Sequence, residues 1–287
     1  MKTSLASIKP VIKTSSIFGG VIIKDDSIQA SNGVITINAS CPSTSLDTVV
    51  DGQRFIKAIS ACNNPTYKEN TATVTVKDGS FKSIIPMSNA SHFTSIADGN
   101  EVPVDGVLLL DALKKCATCV SDDPTRGFLR TVHLDGGHSF ASDGVVFIKT
   151  IAPNITCDIP GDMVVEMVKR NTPPISIVTA EDFIAAKWSD KDWIKCQRVE
   201  VTWPDNVLNY MAECSNDTSN IKPIDDATKA SIHRIAKIAG DTQIKFTGDS
   251  VTTVDEHPSS IDGITIELSS FNAGKLAGVI DLCDGYD

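Results

Sequence analysis

Cysteine, histidine and acidic residues are the first to weigh for chemistry in this 287-residue chain. Cys116-Ala117-Thr118-Cys119 has the spacing of two metal ligands, because thiolates three positions apart reach one tetrahedral ion. No second pair stands at zinc-finger distance, and the pair closes an apolar helical stretch, so it reads as two buried thiols. His133 and His138 flank the turn Asp135-Gly136-Gly137 and read as solvated turn residues. His138, Ser139 and Asp143 supply the residue types of a hydrolytic triad, but adjacency in sequence is not triad geometry. Asp122-Asp123 and Asp225-Asp226 precede turns or helices, where capping accounts for them. Trp188, Trp193 and Trp203 read as packing residues. No Walker loop, G-x-G-x-x-G, G-x-S-x-G or H-E-x-x-H occurs. The expectation is therefore no enzyme, no cofactor and no metal.

Lysine and arginine carry a different chemistry. Lys9, Lys13, Arg54, Lys57, Lys114, Lys115, Lys169, Arg170, Lys229, Arg234, Lys237 and Lys275 all fall on short segments with helical character. Cations in a last helical turn suit the helix dipole. That does not account for Arg54, Lys229 and Lys275, which sit in first or middle turns. Were all these helices to line one concave surface, their charges would form a track that contacts phosphates without reading bases. The chain itself is acidic, with 26 Lys and Arg against 36 Asp and Glu and a net charge of -10. A uniformly basic nucleic-acid binder is excluded; a basic patch on an acidic body is not.

The elements that must position these bases recur along the chain. A short apolar segment is opened by an acidic, Pro or Gly turn: Val50-Asp51-Gly52 before 53–59, Val104-Asp105-Gly106 before 107–113, Ile159-Pro160-Gly161-Asp162 before 163–168, Ile224-Asp225-Asp226 before 227–238, and Phe271-Asn272-Ala273-Gly274 before 275–282. A weaker copy covers 5–12. Apolar residues return at three and four, as in Phe55, Ile56, Ile59 and Ile232, Ile235, Ile238, which predicts short amphipathic helices. Between them the period is two, predicting strands at 21–24, 33–40, 71–77, 80–85, 129–134, 139–142, 145–150, 175–179, 183–188, 198–203, 243–247 and 263–268. Asp78-Gly79, Asp135-Gly136 and Asp262-Gly263 are hairpin signals. The fold class is α+β, with many antiparallel strands and isolated helices. Polar linkers at 97–100 and 213–220 divide the chain into blocks 1–98, 99–214 and 215–287.

Hydrophobic residues at 41% and charged residues at 22% are ordinary for a globular chain, and aromatics at 6% leave the core to Val, Ile, Leu and Ala. No apolar run reaches the roughly 18 residues of a membrane span. No signal-peptide pattern follows Met1-Lys2-Thr3-Ser4-Leu5, so a cytoplasmic location without membrane association is expected, and the eight cysteines read as free thiols.

The stretch 113–129, Leu-Lys-Lys-Cys-Ala-Thr-Cys-Val-Ser-Asp-Asp-Pro-Thr-Arg-Gly-Phe-Leu, resembles the bacterial β sliding clamp, the processivity subunit of DNA polymerase III. In that family a domain-opening helix is followed by a Val-Ser-x-Asp-x-x-Arg-like turn and a strand. Ala141-Ser142-Asp143-Gly144 is similar to the clamp's Ala-Thr-Asp-Gly, and 50–59 and 74–86 resemble a helix and hairpin of a first clamp domain.

The resemblance implies three tandem clamp-type domains, with antiparallel sheets outside and short helices lining a central bore. Two protomers would close a homodimeric ring on double-stranded DNA, which slides without sequence readout. Twelve helices about 10 Å across span roughly 120 Å, enough to surround a duplex about 20 Å wide. It also implies a pocket for peptide motifs of the polymerase and the clamp loader, at Arg126, Leu129, Ser142, Gly144, Val145, Val146, Phe147 and Pro204. The family commonly has His-Arg-Leu after Asp-Gly where this chain has Val145-Val146-Phe147, so the pocket would be more apolar. Further strands follow the sixth helix in the family, whereas this sequence stops at Asp287, leaving the third domain abbreviated or the sequence truncated. A compact divergent clamp of this sort suits a bacteriophage as well as a bacterium. The alternative is a β-rich structural or virion protein without DNA binding.

Overall fold

Asp51, Asp105 and Asp225 each turn a carboxylate onto backbone N–H groups of the next turn, and a helix starts at each. The Asp51 Oδ1 accepts from the Arg54 N–H at 2.8 Å, and the Asp105 Oδ1 accepts from Val107 and Leu108 at 3.1 and 3.0 Å. These bonds satisfy N–H groups that a helix start leaves without partners. Pro160 opens its helix without a side-chain cap, with Asp162 in the first turn.

The computed structural model describes residues 20–41, 45–88, 94–144, 146–213, 222–240, 242–246, 250–254, 259–262, 269–282 and 285–286. The expected helix at 5–12 and strand at 263–268 lie outside them. The chain divides into two compact units, Met1–Thr202 and Trp203–Asp287.

In the first unit, strands β1 (Gly20–Lys24), β2 (Ser27–Ser31), β3 (Ile35–Ser40) and β4 (Thr48–Asp51) lead into helix α1 (Gly52–Ser60). Strands β5 (Thr66–Glu69), β6 (Thr73–Asp78) and β7 (Phe81–Pro86) follow as a three-stranded sheet. Then come β8 (Asn100–Pro103), α2 (Gly106–Cys116), β9 (Thr131–Asp135), β10 (His138–Ser142), β11 (Phe147–Ile151), β12 (Cys157–Pro160), α3 (Gly161–Arg170), β13 (Ser176–Thr179), β14 (Phe183–Ser189) and β15 (Asp192–Gln197). Eight strands form one antiparallel sheet in the order β4-β1-β2-β3-β15-β14-β13-β8, and β11-β10-β9-β12 form another.

The second unit holds α4 (Asp205–Glu213), β16 (Lys222–Pro223), α5 (Asp226–Ala239), β17 (Gln243–Phe246), β18 (Ser250–Thr253), β19 (Ser260–Asp262), β20 (Ser269–Asn272), α6 (Ala273–Val279) and β21 (Gly285–Tyr286). Its sheets run β19-β18-β17-β20 and β16-β21. Ile232, Ile235, Ala236 and Ala239 of α5 pack with Ile244, Phe246 and Val251 into its core.

One unit of topology repeats: an opening strand, a helix, then a three-strand meander. It appears as β4-α1-β5-β6-β7, β8-α2-β9-β10-β11, β12-α3-β13-β14-β15 and β16-α5-β17-β18-β19. The opening strand joins a different meander from its own. Thus β8 pairs with β13, β12 with β9, β4 with β1 and β20 with β17. Each helix of the repeat therefore starts within a few residues of an edge strand, which fixes its position; α4 has no such strand before it.

Several sequence expectations change here. The turns read at 50–52 and 159–162 begin inside the four-residue strands β4 and β12, while β8 ends at Pro103, just ahead of the turn at 104–106; strands this short show no period. The strand expected at 198–203 does not form, and β15 at Asp192–Gln197 takes its place in the sheet. Leu129 and Arg130 belong to a 3-10 turn, Gly127–Arg130, and the strand begins at Thr131. Helix α4 was not expected at all. The turn glycines do follow expectation: Gly79 and Gly136 take φ +58 and +54, the left-handed values such turns require.

Candidate nucleic-acid interface and partner pocket

Burial separates two faces on α1, α2, α3 and α5. In α2, Leu109, Leu110, Leu113 and Cys116 are buried, while Val107, Asp111 and Lys114 share the exposed face at i, i+4 and i+7. In α1, Phe55, Ala58 and Ile59 are buried and Arg54 and Lys57 are exposed. In α3, Met163, Val164 and Met167 are buried and Asp162, Val165 and Lys169 are exposed. In α5, Arg234, Lys237 and Ile238 are exposed. The amphipathic pattern thus leaves at least one base facing solvent on each of these four helices.

The bases differ in what holds them. Arg54, Lys57, Lys114, Arg234 and Lys237 carry no ion pair or side-chain hydrogen bond among the described residues. Lys115 pairs with Asp111 at 2.9 Å and Lys169 with Glu166 at 2.8 Å. Arg170 forks onto both carboxylate oxygens of Asp192, one bond being 3.0 Å, and stacks 3.9 Å over the Trp188 ring. That guanidinium is committed to joining α3 to the β15 turn. Lys229 is half-buried; Lys275 lies on α6. Lys9 and Lys13 lie outside the described residues. Sequence reasoning counted these bases alike, because the partners Asp192 and Trp188 are distant in sequence from Arg170. It also passed over Val107, Val165 and Ile238, apolar residues on the same exposed faces, which a helical projection reveals.

The expected pocket residues are gathered in part. Arg126 Nη1 donates to the Asp143 carbonyl at 2.6 Å, and its Nε lies 3.3 Å from Asp123. Asp123 accepts from the Thr125 hydroxyl at 2.7 Å and N–H at 2.9 Å; these Thr125 bonds chiefly hold its carboxyl below the usual range, with Arg126 adding to them. Gly144 takes φ +90, and a Cβ there would stand 3.0 Å from Arg126 Nη1 and 3.4 Å from Leu129 Cδ1. Arg126, Leu129 and Gly144 are therefore immediate neighbours. The loop is knitted by Ser142 Oγ to the Val146 carbonyl at 2.9 Å and by the Val146 N–H to buried Asp143 at 2.9 Å. Phe147 is 38% exposed. Val145 lies outside the described residues. Pro204 belongs to the second unit, where it opens α4.

The triad-like residues go separate ways. Ser139 is fully buried with its hydroxyl 3.4 Å from Cys116 Sγ, whereas His138 Nδ1 meets the Gly136 carbonyl at 3.2 Å. Successive strand residues face opposite sides, so His138 and Ser139 diverge. His133 is paired with Asp158 at 2.9 Å, a strand contact and not a solvated turn position. Burial pushes the thiols of Cys116, Cys157 and Cys196 up to about 11, 12 and 12, which suits packing and not nucleophilic work. Among the described residues no group of three His, Cys, Asp or Glu side chains gathers as a metal site would. No helix among them is long and apolar enough to cross a membrane.

This architecture is the fold of the bacterial β sliding clamps. The Caulobacter crescentus DNA polymerase sliding clamp is similar with a TM-score of 0.76 at 15% identity, over 98% of this chain and 87% of that one. The Streptococcus pyogenes DNA polymerase β subunit gives 0.74 at 16% identity, over 98% and 87%. The Helicobacter pylori β clamp, solved bound to a DNA ligase peptide, gives 0.74 at 14% identity, over 98% and 88%. No protein-family model matches the sequence. No curated protein matches it in sequence.

Proposed function

We propose that this chain is a DNA polymerase processivity factor, a sliding clamp that encircles duplex DNA and tethers the replicative polymerase. The observation that carries this reading is the set of exposed bases Arg54, Lys57, Lys114, Arg234 and Lys237, without an ion pair among the described residues, borne on the helices of a fold like that of the sliding clamps. In this reading the repeats at 1–98, 99–214 and 215–287 turn their helices toward one bore, and two protomers close the ring. Lys9, Lys13, Lys229 and Lys275 add to the track. Arg170 and Lys169 contribute less, because Asp192 and Glu166 already neutralise them.

Sliding asks for weak, exchangeable phosphate contacts, which long cations on a helix face supply without sequence readout. The net charge of -10 keeps DNA away from the rest of the body. Arg126, Leu129, Ser142, Gly144, Val146 and Phe147 receive peptide motifs of polymerase and loader, as the Helicobacter pylori clamp takes a ligase peptide, and Val145 and Pro204 are assigned this role from the sequence alone. The protein acts as a tether with no chemistry or cofactor of its own, in the cytoplasm of a bacterium or a phage-infected host. A β-rich virion protein without DNA binding would leave the exposed helix bases without a role.

The test is topological. Loaded onto nicked circular DNA, the protein should stay bound through gel filtration and leave once the circle is linearised. Equal release from both forms would refute encirclement.

A further inference from the structure

A preformed cavity lies in the first compact unit, lined by no helix residue. Segment 94–99 crosses one face of the eight-stranded sheet where β3 meets β15. Gln29 pins it by donating to the Thr94 carbonyl at 3.0 Å and accepting from the Thr94 N–H at 2.9 Å. Lys195 Nζ holds the Ser95 carbonyl at 3.2 Å, and Ile96 packs onto Val178, Phe183 and Ala185. Beside this roof lies a cavity of about 350 Å³, with Trp193, Asn38, Asp25, Glu101, Lys187 and Asp190 in its lining. That volume is at the small end for ligand sites, room for one side chain and not for a folded element.

Trp193 is 3% exposed, yet its indole N–H has no hydrogen-bond partner among the described residues. The only side-chain polar atom among them that is both sealed and unpaired is Thr48 Oγ1. The indole nitrogen is not among those sealed, unpaired atoms, and Trp193 lines the cavity. A donor on a buried residue that lines a preformed cavity, with no partner among the described residues, asks for an acceptor.

The charges at the rim point to a cation beside that acceptor. Lys187 Nζ is matched by Glu101 at 2.9 Å and Asp190 at 2.8 Å. The other cation, Lys191, donates to the Asp25 carbonyl at 2.7 Å and lies 3.7 Å from Asp26. Both lysines are satisfied, while the Asp25 carboxylate is exposed and the Asp190 side chain is 94% exposed with one oxygen uncommitted. The lining holds three carboxylates against two ammonium groups.

We propose that this cavity receives a basic side chain, arginine or lysine, from an extended segment of a partner protein. The Trp193 N–H bonds a peptide carbonyl of that segment, and the Asp25 and Asp190 carboxylates hold the cation. A free polyamine has the charge but no carbonyl, so the indole donor selects a peptide. The site is separate from the helix bases and stands whether or not the chain encircles DNA.

The probe is N-acetyl-arginine methylamide, with spermidine and N-acetyl-norleucine methylamide as controls, read by the indole N–H resonances. The Trp193 signal is identified by its loss in Trp193→Phe, or by elimination in Trp188→Phe and Trp203→Phe if that variant does not fold. It should shift saturably with the arginine probe only. The double variant Asp25→Asn, Asp190→Asn should weaken binding about threefold to tenfold, as expected for two exposed charge contacts. No shift, an equal shift with spermidine or norleucine, or an unchanged affinity in the double variant would overturn the proposal.

Discussion

Ile37 of β3 and Ile194 of β15 are direct partners in the antiparallel ladder that turns two four-strand groups into one sheet. They are 1% and 2% exposed, so the joint is core and not a surface contact between neighbours. Replacing Ile194 by Ala should cost about 2–4 kcal/mol, the usual range for emptying a buried aliphatic site. Urea unfolding measures it, and the first unit should still melt in one transition. Two separated transitions in the wild type would mean that the joint does not couple the halves.

Lys114 and Lys169 occupy equivalent exposed faces of α2 and α3, but among the described residues only Lys169 has an acidic partner. Lys114→Glu should shorten retention on closed DNA more than Lys169→Glu does, with neither changing the melting temperature. Removing one phosphate contact should lower the slope of log K against log salt by about 0.9. Equal effects from both variants would show that the Glu166 pair does not withhold Lys169 from phosphate.

Gly144 stands at φ +90 against Arg126 and Leu129. Gly144→Ala brings a strained backbone and a methyl group 3.0 Å from the guanidinium. A loss of about 1–3 kcal/mol is expected, together with weaker capture of a polymerase-derived peptide. Thermal unfolding and peptide titration report the two separately. Full stability in the alanine variant would place the loop's rigidity elsewhere.

Asp225 caps α5 by accepting from the Thr228 N–H at 2.7 Å. The Thr228 hydroxyl first, and its N–H second, hold the carboxyl below the usual range. Because the folded value lies below the unfolded one, the unfolded state binds more protons in between and stability rises with pH there. The contribution is complete above the unfolded value and vanishes as pH falls through the lowered folded value. Asp225→Asn keeps a capping oxygen but cannot titrate, so its melting temperature should fall less steeply under acid. Parallel curves for both proteins would remove this carboxyl from the acid response.

The residues differ in how far they announced themselves. Asp51, Asp105 and Asp225 marked their helices because a cap acts within three residues, and Leu109, Leu110 and Leu113 showed their face because helical period is local. The run Arg198–Trp203 alternated like a strand and yet forms none, since a strand needs a ladder and the chain leaves the sheet after Gln197. The ends of β4 and β12 were read as turns and β8 was not read as a strand, because their reason to be extended is a partner in another meander. The pocket loop was legible at Arg126, Ser142 and Gly144 through its resemblance to clamp motifs, but the approach of Arg126 to Gly144 was not.

The amino-acid order alone determined the α+β class, the recurring capped helix and the placement of a base on the exposed faces of α1, α2, α3 and α5, because caps, periods and turn glycines act over a few residues. Only the tertiary structure decided that β3 runs beside β15, that Asp192 claims Arg170 while Lys114 finds no acidic partner among the described residues, and that buried Trp193 lines a cavity. Those outcomes depend on which distant groups meet, and contact between distant groups is set by packing, not by spacing along the chain.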